Sequence, residues 1–101
     1  MVKKKKREAI LKDILKAIQR GDYLYTGHAQ ERLQQREVTR QEVKQVLKSG
    51  HHEKRKDVFD EQFNEWNYAI AGKTVDKRRL RVVISFDKNN MLIITVIDLD
   101  K

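Results

Sequence analysis

Three side chains invite a chemical reading before any others. His28, Arg32 and Arg36 recur four residues apart. At about 100° per helical residue they fall within about 80° of one another on one face. Gln35 lies on the same side, and Ala29 and Leu33 form the neighbouring, core-facing stripe. Arginine grips phosphate bidentately, and histidine exchanges protons near neutral pH. Cleavage of RNA through its own 2′-hydroxyl needs a proton acceptor, a proton donor and positive charge at the phosphorane, and it needs no metal. The competing reading is a solvated basic helix face on which His28 caps or packs locally.

Further candidates lie outside this stripe. Lys77-Arg78-Arg79-Leu80-Arg81 opens a strand-like alternation. Arg81 leaves its apolar face and points to a groove on the far side of a sheet. Arg78, Arg79 and Arg81, with Gln35, Lys3 and Lys4, are the expected phosphate ligands, against the plainer reading of a charged hairpin tip. Trp66 and Tyr68 have rings to stack on bases, and Tyr68 has a hydroxyl to offer. Their competing role is a core row with Ile70. His51 and His52 are adjacent, so on a strand they point to opposite faces and do not easily share one metal. No H-x-x-x-H spacing, paired-aspartate motif or Gly-rich phosphate loop is present. No metal or small-molecule cofactor is expected.

The elements that must position these residues can be read from periodicity. Ile10, Leu11, Ile14, Leu15 and Ile18 predict an amphipathic first helix, ended by Gly21. Tyr23-Leu24-Tyr25 predicts a short strand, and Thr26 or Gly27 caps a helix over 28–36. Thr39 and Glu42 form a capping box, flanked by a Val38–Val43 staple. Val43, Val46 and Leu47 then face the core until Ser49-Gly50 stops the helix. Residues 51–56 suggest a strand and 57–65 an irregular acidic loop. Strand periodicity follows around Trp66–Ala71 and Leu80–Phe86. Met91–Ile97 is nearly all apolar, which predicts a central strand covered on both faces. The fold class is therefore α+β, with amino-terminal helices packed on a small antiparallel sheet of three to five strands. Residues 1–22 form a basic helix extending the domain, and 23–101 form the domain proper, one domain overall.

Composition bounds the partner. The chain has 101 residues and a net charge of +8. Residues 1–20 hold eight basic and two acidic side chains, a net of +6. A basic face steers toward phosphate, although a lysine run such as Lys3–Lys6 also serves solubility alone. There is no cysteine, which removes disulfides, thiolate zinc sites and a cysteine nucleophile. Lys12, Asp13 and Lys16 interrupt any signal-peptide core. No apolar run approaches the roughly 20 residues of a membrane helix. The expectation is a cytoplasmic protein with no membrane partner.

The stretch Thr26-Gly27-His28-Ala29-Gln30-Glu31-Arg32-Leu33-Gln34-Gln35-Arg36-Glu37-Val38-Thr39 resembles the hallmark of the domain of unknown function 4258 family, roughly T-x-H-A-x-x-R-x-x-x-R-x-(I/V)-(S/T). Val43, Val46, Leu47 and Gly50, then Tyr68–Gly72, Leu80–Val83 and Ile94–Ile97, continue the likeness in order. That family is grouped with compact toxins resembling RelE, BrnT and the MqsR-like proteins. The resemblance implies a RelE-like fold, metal-independent cleavage of mRNA (possible on the ribosome) and neutralisation by a cognate antitoxin protein. It makes His28, Arg32 and Arg36 site residues. Members often have His where this chain has Arg81, so phosphate binding suits that position better than acid–base work. The expected function is a type II toxin endoribonuclease, with His28, Arg32, Arg36 and Tyr68 catalytic. A non-catalytic RNA-binding or protein-interaction module of the same fold is the alternative.

Overall fold

The computed structural model describes residues 3–100; Met1, Val2 and Lys101, at the ends of the two predicted units, lie outside the described residues. Helix α1 (Arg7–Arg20) ends where Gly21 takes φ 74°, the left-handed conformation expected of it. Its Ile10, Ile14 and Ala17 are buried, whereas Leu15 is 49% exposed, so the apolar stripe is narrower than the periodicity suggested. Strand β1 (Tyr23–Tyr25) follows. Helix α2 (Gly27–Gln35) starts one residue before the predicted position and is capped by Thr26, whose Oγ1 accepts from the Ala29 N–H at 3.1 Å. Helix α3 (Arg40–Ser49) has both halves of its capping box, at 3.1 and 2.9 Å. Val38 and Val43 are buried as the staple requires.

Gly50 ends α3 for a different reason from the one expected. Its backbone is extended, at φ −77° and ψ −179°, so no positive φ demands glycine. A Cβ there would strike the Val46 carbonyl oxygen and come within 2.5 Å of the Ala71 carbonyl oxygen. Glycine is needed because the end of α3 lies against the sheet backbone.

The remaining elements are β2 (His51–His52), a 3₁₀ turn (Lys54–Lys56), β3 (Val58–Asp60), β4 (Glu65–Lys73), β5 (Arg79–Phe86) and β6 (Met91–Asp98). Strand order is β1-β6-β5-β4-β2, with β3 beside the start of β4. The sheet has six strands and is mixed, which corrects the expectation of three to five antiparallel ones. β1 runs parallel to β6, pairing Tyr23 with Met91 and Tyr25 with Ile93. A parallel pair has no hairpin turn to advertise it, because its partners are far apart in sequence. The acidic segment expected to be a loop contributes β3, whose Phe59 packs edge-on to Trp66 at 5.4 Å. The strand predicted over 51–56 is only two residues long before the 3₁₀ turn.

One face of the sheet carries Tyr68, Ile70, Leu80, Val82, Ile84, Met91, Ile93 and Val96, which share a single core with buried residues of all three helices. A bulge between Val83 and Ile84 keeps Ile93 and Val96 on that face despite their odd spacing. The opposite face presents Ala69, Ala71, Arg81, Val83 and Ile97, none of which joins the core. β6 is therefore covered on one face, not two: Leu92 and Ile97 are only half-buried.

Candidate functional site

Most of the helix stripe and its surroundings maintain the fold. Thr26 caps α2 and also donates its hydroxyl to the Ile94 carbonyl at 3.1 Å. Ala29 and Leu33 are buried in the core. Arg36 lies just past the end of α2, where its Nε donates to the Val96 carbonyl at 3.0 Å. That carbonyl belongs to the part of β6 beyond the reach of β1, so Arg36 satisfies an otherwise open strand edge. His28 and Arg32 remain. His28 is exposed, and its side chain makes no hydrogen bond or ion pair among the described residues. Arg32 donates to the neighbouring Gln35 and is half-buried. The structure thus divides the expected trio: one arginine holds the sheet edge, while the imidazole and the other guanidinium face outward.

The other expected residues are largely engaged. Arg78 donates to the Arg36 and Glu37 carbonyls and to Asp98, so it ties the β4–β5 turn to the α2–α3 junction. Arg79 pairs with Asp100 at 2.6 Å, and that contact holds the Asp100 carboxyl below the usual carboxylate range. Tyr68 is 3% exposed, and its hydroxyl accepts from the Lys5 N–H. Tyr68 thus lies in the core row with Ile70, and its hydroxyl is already engaged. Trp66 is half-buried and has Lys4 over its ring at 4.7 Å. Lys4 itself reaches Asp57 at 2.9 Å, while Lys3 is exposed.

Arg81 does lie on the face opposite the core. Its guanidinium takes Glu53 in a bidentate grip, Nε to Oε1 at 2.6 Å and a terminal nitrogen to Oε2 at 3.3 Å. This hydrogen bonding lowers the Glu53 carboxyl below its ordinary value, with further pull from the charge of Arg81, from His51 and from Lys56. His51 and Arg81 both pair with Ala71, one from each side, so the three side chains share a face. Two strand spacings put the backbones of His51 and Arg81 about 10 Å apart. His52 turns the other way and is buried, as its alternation predicted. Sequence reasoning missed Glu53. Its link to Arg81 depends on the β2–β4–β5 register, and the only sequence signal was two-residue spacing from His51.

A carboxylate held ionised, a guanidinium and an exposed imidazole on one face can bind a phosphate and move protons about it. Among the described residues, no three His, Asp or Glu side chains are grouped to hold a metal ion, and no helix is long and apolar enough to cross a membrane. The chain matches the family described as domain of unknown function, DUF4258, over residues 25–98, and it belongs to that family. The match runs from the end of β1 to the end of β6 and leaves out α1, although Ile10 and Ile14 of α1 are fully buried in the shared core. No curated protein and no solved structure matches the chain.

Proposed function

We propose that this protein is a metal-independent endoribonuclease, the toxin of a toxin–antitoxin pair, and that its chemistry takes place on the sheet face opposite the helices. The observation that carries the reaction is the Arg81–Glu53 pair with His51 on the same face. Glu53 takes the proton of the 2′-hydroxyl as that oxygen attacks phosphorus. Arg81 balances the negative charge of the phosphorane. His51, as imidazolium, protonates the departing 5′-oxygen, which leaves a 2′,3′-cyclic phosphate. A carboxylate lowered by its arginine is a weak base, but an arriving phosphate competes for Arg81. As that grip loosens, the proton affinity of Glu53 rises toward its ordinary range. His28 and Arg32 lie on α2, on the helix side of the sheet, and take no part in this step. The toxin role is supported by the family resemblance alone.

The test is cleavage of purified mRNA in EDTA, with and without ribosomes, followed by analysis of the ends. Cyclic or 3′-phosphate ends are expected, and Glu53→Gln should slow cutting at least about 100-fold with the fold intact. If His28→Ala with Arg32→Ala stops cutting while Glu53→Gln and His51→Ala do not, the chemistry belongs to α2. Absence of cutting by the wild-type protein in every condition overturns the enzyme reading.

One observation favours a second reading, a non-catalytic RNA-binding or protein-interaction module. Arg78, Arg79 and Arg81 are each already paired with an acid. That reading expects salt-sensitive RNA binding without cleavage, and no growth arrest on expression.

A further inference from the structure

His52 is unusual for a buried residue. It is 5% exposed, its Nε2 lies 2.7 Å from Asp57 Oδ2, and its Nδ1 is buried with no hydrogen-bond partner. The Asp57 side chain is fully buried and already surrounded by donors. Lys4 Nζ reaches Oδ2 at 2.9 Å, and the Ala69 N–H reaches Oδ1 at 3.0 Å. A carboxylate in that setting is an acceptor, so His52 donates to it from Nε2, and Nδ1 is the nitrogen left over. A buried polar atom without a partner destabilises the fold unless something satisfies it.

The surroundings indicate what that partner is. His52 lines two adjoining hollows: Lys4, Lys5, Lys6, Arg7 and Lys54 surround it in the first, whereas His51 and Glu53 join Arg7 and Lys54 in the second, which therefore reaches the Arg81–Glu53 face. α1 begins at the first hollow. Lys6 provides no side-chain cap there, and the first helical bond runs from the Ile10 N–H to the Lys6 carbonyl. The N–H groups of Arg7, Glu8 and Ala9 therefore lack intrahelical acceptors, at the end of the helix dipole that favours anions. Glu8 is the one acidic side chain lining the first hollow and opposes the rest.

We propose that the first hollow forms a phosphate-binding site, distinct from the Arg81–Glu53 face because none of His51, Glu53 and Arg81 lines it, and independent of any cleavage there. The free amides and basic side chains hold the phosphate oxygens. His52 Nδ1 donates to one oxygen as imidazolium, or accepts from the P–OH of monobasic phosphate. The phosphate is either a free ion or a link of a polynucleotide backbone, and the two sources can be told apart.

The experiment uses the full chain labelled with ¹⁵N, following the His52 ring nitrogens and the amides of Arg7, Glu8 and Ala9. It is titrated with inorganic phosphate, with a 2′-deoxy oligonucleotide lacking terminal phosphates, and with chloride at matched ionic strength. Saturable shifts at both the ring and the helix amides are expected. Shifts with inorganic phosphate alone support the site and assign it to the free ion, whereas shifts with the oligonucleotide alone or with both support it as a site that takes a backbone phosphate. Equal shifts with chloride, or no saturable shift with either phosphate source, overturn it. Arg7 and Lys54 are exposed, so Arg7→Glu with Lys54→Glu should leave the melting temperature unchanged and weaken binding at least about tenfold. Undiminished affinity in that double variant also overturns the site.

Discussion

His51 and His52 are neighbours in sequence, yet strand alternation gives them opposite surroundings. His51 is exposed on the face where Arg81 holds Glu53, in an ion pair whose side chains are 18% and 24% exposed. His52 is enclosed against Asp57, whose side chain is fully buried, with Tyr68 packed edge-on at 6.1 Å. One dipeptide thus serves both an accessible charge cluster and an enclosed one. Accessible pairs contribute little to stability because water and salt screen them, and the same access lets a substrate exchange for one partner. Enclosed pairs resist disruption, since removing one partner leaves the other desolvated.

The largest expected effect falls on the enclosed side. Asp57→Ala strands His52 Nε2, the Lys4 ammonium and the Ala69 N–H together, and should cost about 3–5 kcal/mol in urea unfolding. A loss below about 1 kcal/mol would abolish the contrast between the faces. Next comes the joint that aims β2. Gly50→Ala forces a methyl group against two carbonyl oxygens and should cost about 2–3 kcal/mol, in the range of overpacking. Because it displaces both histidines, it should perturb both faces at once in an amide spectrum, whereas Asp57→Ala should affect mainly the enclosed one.

Glu53→Ala should cost less than about 1 kcal/mol, as expected of a pair that water and salt still reach. Its pH dependence has a definite sign. Arg81 lowers the Glu53 carboxyl in the folded protein, so the stabilisation is present above the ordinary value of 4.5 and is lost as pH falls through the depressed value. The difference in stability between wild type and Glu53→Ala should therefore shrink in acid and be flat at neutral pH.

The smallest expected effect concerns Tyr25, under the Arg40 guanidinium at 4.2 Å. Burial raises its hydroxyl from 10.0 to about 12, against the opposing pull of Arg40 and with a small further rise from Tyr23. The corresponding stability is complete below pH 10 and is lost as pH rises through about 12. Absorbance at alkaline pH should show a tyrosine ionisation near 12 that Tyr25→Phe removes. Because that hydroxyl is buried without a partner, the same substitution should be neutral or should stabilise by up to about 1 kcal/mol.

What could be read in the sequence follows the range of the forces involved. The start of α3 was legible because Thr39, Glu42, Val38 and Val43 act within a few residues. The opposite orientations of His51 and His52 were legible because alternation is local. The parallel pairing of β1 with β6 was not, since Tyr23 and Met91 meet across most of the chain. Glu53 was missed for the same reason. The stripe on α2 was correctly placed on a helix, but periodicity could not show that Arg36 would lie past the helix end and bond to a strand.

That last contact has a consequence for the length of the segment. β1 covers only Met91 to Ile93 of β6. Beyond it, Thr26 at one end of α2 bonds to Ile93 and Ile94, and Arg36 at the other end bonds to Val96. The helix therefore acts as a clasp of fixed span, shielding a strand edge that could otherwise recruit another chain. An insertion or deletion between Thr26 and Arg36 would unfasten one end, turning a change in helix length into a tendency to self-associate.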